Sequence, residues 1–207
     1  MKLGRLARLA VLAGALALAG CMAAAKNTLS QNDITGMKLT EVAVSFAPDS
    51  TIQWEDGIRP YLGAHAIMDD KAGEAARSPA GKAYMQGVLT PQIKAGVEKA
   101  IGKHLNGSRP VRLQVVVHSF TIASAMQRIV VGGGHGMVAD ATLVDAKTGA
   151  TILSCPKLVA TLVVGQGVLG TAVQAAIDSA SKESTSEKVA DRYGITYRDW
   201  LLPGVQT

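Results

Sequence analysis

Val111, Leu113, Val115 and Val117 alternate with Arg112, Gln114, Val116 and His118, a period of two that predicts a strand with one buried face. The pattern returns further on. Met137, Ala139, Ala141 and Leu143 alternate with Val138, Asp140, Thr142 and Val144, and Asp145-Ala146-Lys147-Thr148-Gly149 then supplies a turn before Thr151-Ile152-Leu153. These residues predict a local antiparallel hairpin. Pro156 interrupts any ladder it joins, so it marks an edge or a bulge before Leu158 to Val164. An earlier strand is expected over Met37 to Phe46, stopped by Ala47-Pro48-Asp49.

Helical spacing takes over elsewhere. Ile93, Val97, Ile101 and Leu105 recur every four residues, with Lys94, Glu98, Lys99 and Lys103 off that stripe. Thr90-Pro91 reads as the start of this helix and Asn106-Gly107 as its stop, with a further helix over Gly81 to Leu89 that bends at the Thr-Pro step. Ser50 to Ala80 has no sustained period and predicts a long irregular connection with a short helix near Tyr61 to Met68. Leu158 to Ile177 carries no charge over twenty positions, but Gly165, Gln166, Gly167 and Gly170 break it. It therefore predicts a strand to about Val164, a turn, and a helix presenting Leu169, Val173 and Ile177. Val189, Tyr193, Trp200 and Leu201 are placed to fold the tail back onto the domain. The order of elements predicts an α+β fold, a small antiparallel sheet with helices packed on one face.

The start of the chain has a different character. Lys2, Arg5 and Arg8 precede an eleven-residue apolar stretch, Leu9 to Ala19, too short for a comfortable membrane span and of the length an export signal uses. That stretch ends in Leu18-Ala19-Gly20-Cys21, which resembles the lipobox of bacterial lipoproteins. The resemblance implies cleavage between Gly20 and Cys21, lipid on the Cys21 sulfur and acylation of the new amino group. Several acyl chains on one residue hold a protein durably where one does so only marginally. In the sorting pattern of such lipoproteins, Met22 in place of Asp after the cysteine implies the outer membrane in a host with two membranes. The expected organisation is a signal peptide over 1–20, a lipidated tether over 21–36 and one domain over 37–207.

Charge changes once that leader is set aside. Of 21 Lys plus Arg, removing Lys2, Arg5 and Arg8 leaves 18 against 16 Asp plus Glu, so the mature balance is +2. A nucleic-acid footprint is not expected. The two cysteines also fit this arrangement, since lipid on Cys21 leaves Cys155 without a disulfide partner. The apolar neighbours of Cys155 predict a packed, inert thiol.

Candidate chemistry is sparse. Gly165-Gln166-Gly167-Val168-Leu169-Gly170 matches G-x-G-x-x-G, but too little chain follows for the rest of a dinucleotide-binding unit. Gly132-Gly133-Gly134-His135-Gly136 fits neither phosphate-loop pattern, and a strand, not a helix, is expected after it. It reads as the flexible start of a strand, or as a contact loop for a partner. His65, His104, His118 and His135 are scattered with no metal-binding spacing, and no G-x-S-x-G elbow occurs. Trp54-Glu55-Asp56 and Asp69-Asp70 read as solvated acidic turns. No cofactor, metal site or catalytic set is expected.

Lipobox, tether, one small α+β domain and a strand-D-x-K-T-G-strand hairpin together resemble bacterial lipoproteins of unknown function. A more distant likeness is to auxiliary lipoproteins of lipid-transport ABC systems. The expectation is a non-enzymatic envelope module, anchored to the membrane through Cys21. It holds a protein or lipid partner at its sheet edge or through the loop at Gly132, Gly133, Gly134, His135 and Gly136. The alternatives are an anchored hydrolase acting on envelope material, for which His118, His135 and Asp140 are the residues to substitute, and a periplasmic lipid carrier.

Overall fold

The computed structural model describes residues 26–124, 126–127, 134–162 and 183–204. The signal and lipidation positions Gly20 and Cys21, loop residues Gly132 and Gly133, the glycine motif at 165–170 and the helix expected around Leu169 to Ile177 lie outside the described residues.

The chain runs α1 (Gln31–Thr35), β1 (Met37–Trp54), α2 (Glu55–Ala64), a 3-10 turn (Asp69–Lys71), α3 (Ala72–Arg77), α4 (Pro79–Ile101), β2 (Arg109–Ile122), β3 (His135–Asp145), β4 (Thr151–Leu162) and α5 (Thr185–Leu201). The four strands form one sheet in the order β1-β2-β3-β4. β2, β3 and β4 are antiparallel neighbours, as their alternation predicts. β1 joins β2 in parallel, so the sheet is mixed where a wholly antiparallel one was expected. The reason is the connection: parallel neighbours need a crossover, and α2 to α4 are that crossover. The α+β class holds.

Core positions follow the two periods. Val111, Leu113, Val115, Val117 and Phe120 on β2, with Met137, Ala139, Ala141 and Leu143 on β3, point inward and are fully buried. Against them lie Leu89, Ile93, Val97 and Ile101 from α4 and Val189, Tyr193, Tyr197 and Leu201 from α5. Burial of a large apolar side chain is worth about 1.5–3 kcal/mol, so this layer dominates the stability of the domain. The hairpin turn is built as its residues predict: the Lys147 and Thr148 amides donate to Oδ1 of Asp145 at 3.1 Å each, and Gly149 takes φ +75°.

Several boundaries differ from the sequence expectation. β1 does not stop at Ala47-Pro48-Asp49. Those residues form an irregularity between the Phe46–Val117 and Thr51–Ser119 pairs, after which the strand resumes to Trp54. Ser50 to Ala80 is mostly ordered, with α2 and α3 docked on α4 through a second small cluster of Ile58, Leu62, Ala75 and Met85. α4 is one helix that starts at Ser78-Pro79, where the Ser78 hydroxyl accepts from the Gly81 amide at 3.0 Å. Pro91 lies inside it, and the Thr90 hydroxyl donates to the Gln86 carbonyl at 2.8 Å beside the interrupted ladder.

Contacts with the domain begin ahead of β1. Ser30 and Asp33 make a capping box for α1, Ile34 is buried, and Asn27 Nδ2 donates to the Leu201 carbonyl at 2.6 Å. The chain is therefore docked on the domain from Asn27. Among the described residues no helix is long and apolar enough to cross a membrane.

Candidate functional site

Where β1 resumes after its irregularity, residues 50–54 run beside the end of β2 and under α2 and α3, and a cleft of about 440 Å³ opens there. Its floor is apolar, formed by Ile52, Trp54, Ile58 and Ile122. Trp54 is fixed on both sides. Its ring lies 6.4 Å from that of Phe120, and it packs so closely on Gly57 that a Cβ there would overlap the indole. The sequence Trp54-Glu55-Asp56-Gly57 thus serves as strand end, first helical turn and ring support.

The rim is polar. Arg77 ends α3 and Lys82 lies in the first turns of α4, and both line the cleft with no ion pair to any described residue. Glu55, also on the rim, is engaged by Arg59 at 3.6 Å. Ser50 also lines the cleft, and its hydroxyl has no hydrogen-bond partner among the described residues.

The residues singled out in the sequence fall elsewhere. His135 and Gly136 are the first residues of β3, paired with Leu162 and Thr161, and Gly134 immediately precedes them. His135 is buried, and its Nδ1 accepts from the Ala123 amide at 3.0 Å. That bond places the ring proton on Nε2. Gly136 allows the strands to close, since a Cβ would meet the Ala160 carbonyl oxygen at 2.9 Å.

His118 and Asp140 come together on the sheet face away from the helices, with Nε2 2.9 Å from Oδ2. The ring nitrogen is poorly aligned for a hydrogen bond. Asp140 Oδ1 accepts from the Lys157 amide at 2.7 Å. Burial raises the Asp140 carboxyl, but the Lys157 amide and His118 outweigh it and hold the group below its ordinary range. Both neighbours of Asp140 are irregular. His118 is the extra residue between the Val117–Ala139 and Ser119–Val138 pairs, and Pro156 and Lys157 together stand opposite the single residue Asp140 between Leu158–Ala139 and Cys155–Ala141. One carboxylate thus ties down two bulges, and Pro156 lies at the bulge its sequence position predicts.

Cys155 is buried on β4, and desolvation pushes its thiol up to about 11. His104 is held below its ordinary range by burial and by Lys103 and Arg198. No group of His, Cys, Asp or Glu among the described residues is placed to hold a metal ion. Glu55, Asp56 and Asp69 are exposed and share Arg59, as solvated acidic turns do. Sequence reasoning missed the cleft because its residues come from five separated stretches and share no motif.

Among solved structures, a chain from Caulobacter crescentus described provisionally as a lipoprotein is similar at 14% identity and TM-score 0.34, over 55% of this chain and 80% of its own. A point variant of the PelC dodecamer from Paraburkholderia phytofirmans is similar at 12% identity and TM-score 0.32, over 81% of this chain and 90% of its own. The PelC dodecamer itself, in another crystal form, gives 14% identity and TM-score 0.29 over 81% and 89%. No curated protein matches the chain. The profile of one family matches residues 78–201, from the cap of α4 to the end of α5, and the chain belongs to that family, DUF6778, a family of unknown function.

Proposed function

We propose that this protein is exported, cleaved after Gly20 and anchored to the periplasmic face of the outer membrane through lipid on Cys21, where its α+β domain acts as a non-enzymatic binding or accessory module. The observation that carries the binding role is the cleft beside residues 50–54, with its apolar floor, its Ser50 hydroxyl and two cations without ion partners among the described residues. Such a cavity holds a ligand; it does not by itself supply a nucleophile or a proton. The partner is an envelope lipid or an envelope protein.

The anchor rests on the leader and on Leu18-Ala19-Gly20-Cys21. Because the chain docks on the domain from Asn27, only five residues separate that contact from Cys21, so the anchor holds the domain close to the bilayer. The test is density fractionation of envelopes from cells making the wild type or Cys21→Ser. The wild type is expected in the outer-membrane fraction and Cys21→Ser displaced from it. Identical distribution of the two contradicts the anchor.

A further inference from the structure

The ligand class of the cleft follows from what its walls leave unsatisfied. Ile52, Trp54, Ile58 and Ile122 offer an apolar surface on the inner side. Arg77 and Lys82 add two positive charges at the rim with no ion pair to a carboxylate among the described residues, while the acid that lines it among those residues, Glu55, is turned to Arg59. Ser50 adds a lining hydroxyl that makes no hydrogen bond to the described residues. Apolar floor, lining hydroxyl and cationic rim describe the complement of an amphiphilic anion.

We infer that the cleft binds a single-chain amphiphilic anion, a carboxylate or phosphate head on a short apolar body. The head takes charge-assisted hydrogen bonds from Arg77 and Lys82 and a further one from Ser50, and the body lies against Trp54. A cavity of about 440 Å³ is within the range of sites for small molecules and suits one short chain. Neutral amphiphiles gain the floor but leave the rim unmatched, and cationic ones are repelled by it. This inference deepens the binding role proposed above and rests on it, but it does not depend on the lipid anchor.

Trp54 reports directly on occupancy. The full chain carrying Trp200→Phe, in phosphatidylcholine nanodiscs, leaves Trp54 as its one tryptophan. It is titrated with octanoate, octyl phosphate, octyl glucoside and octyltrimethylammonium, each below its micelle concentration. The two anions are expected to shift Trp54 emission saturably, at concentrations at least tenfold lower than the neutral or cationic probe. Tighter octanoate binding assigns a fatty-acid-like ligand, and tighter octyl phosphate binding a lipid phosphate. Arg77→Gln with Lys82→Gln is expected to weaken the anions at least tenfold, and Ser50→Ala several-fold. Circular dichroism checks that each variant is folded, and Lys82→Glu alone, at a partly exposed position, serves should the double variant not fold. Equal binding of all four probes, undiminished anion binding in the folded rim variants, or no saturable shift with any probe overturns the inference. Displacement of Cys21→Ser from the membrane bears only on the anchor, so the two failures are told apart.

Discussion

Gly96 of α4 and Gly194 of α5 meet backbone to backbone: a Cβ on Gly194 would overlap the Gly96 carbonyl oxygen, and one on Gly96 would come within 2.7 Å of the Ala190 carbonyl carbon. The two helices that cover the sheet can approach this closely only because neither carries a side chain at the crossing. Ion pairs from Lys99 to Asp191 at 2.6 Å and to Glu183 at 3.4 Å flank the contact on the solvent side.

Gly194→Ala is therefore expected to destabilise the domain. Overpacking costs about 1–3 kcal/mol, and rigid backbone on the receiving side puts this case at the upper end, offset by the roughly 1 kcal/mol of helix propensity that Ala gains over Gly. A net loss of about 1–2 kcal/mol is expected in urea denaturation. Gly87→Ala, at an exposed position of the same α4 with open space around it, has only the propensity gain and is expected to stabilise by about 0.5–1 kcal/mol.

The contrast between these glycines shows what a sequence makes legible. The hairpin was readable because Asp145 and Gly149 set their turn through local hydrogen bonds and a local φ. The start of α4 was not, because Ser78-Pro79 and Thr90-Pro91 carry the same cap chemistry. What decides between them is tertiary: Met85 and Leu89 extend the buried stripe of Ile93, Val97 and Ile101 back through Pro91. The parallel pairing of β1 was hidden for a similar reason, since it depends on a crossover whose apolar residues, Ile58, Leu62, Ala75 and Met85, show no single period. Ser50, Arg77 and Lys82 become neighbours only through that crossover, so the cleft has no sequence signature.

Asp140 should prove more important as an acceptor than as a charge. Asp140→Asn keeps an oxygen for the Lys157 amide, whereas Asp140→Ala leaves that amide unpaired. The alanine variant is expected to lose about 1–2 kcal/mol and the asparagine variant less. The carboxyl is held below its usual value in the folded state, so its contribution is complete above the unfolded value of about 4 and is lost as pH falls through the folded one. Denaturation measured from pH 7 downward should show the gap between wild type and Asp140→Asn constant to about pH 5 and closing below about pH 4.

Lys157 carries φ +48°, a left-handed conformation that costs a side-chain-bearing residue about 1–2 kcal/mol. Lys157→Gly relieves the strain at some cost in unfolded-state entropy and is expected to stabilise by about 0.5–1 kcal/mol. Lys157→Val, β-branched at the same φ, is expected to destabilise. Thermal denaturation of the pair checks both signs.

Cys155 should be chemically silent in the folded protein. Its thiol is buried and raised to about 11, so little thiolate exists at pH 8 and little of it is reachable. Iodoacetamide labelling of Cys155 at pH 8 is expected to be slow in buffer and to rise by orders of magnitude in denaturing urea. Equal rates in the two conditions would show that the thiol is open.

Intact mass and N-terminal fragmentation of the protein extracted from its native envelope test the lipid anchor itself. The expected species is a chain that begins at Cys21 with acyl groups on both its sulfur and its amino group. A chain that begins at Met1, or one that begins at Cys21 with the thiol bare, contradicts it.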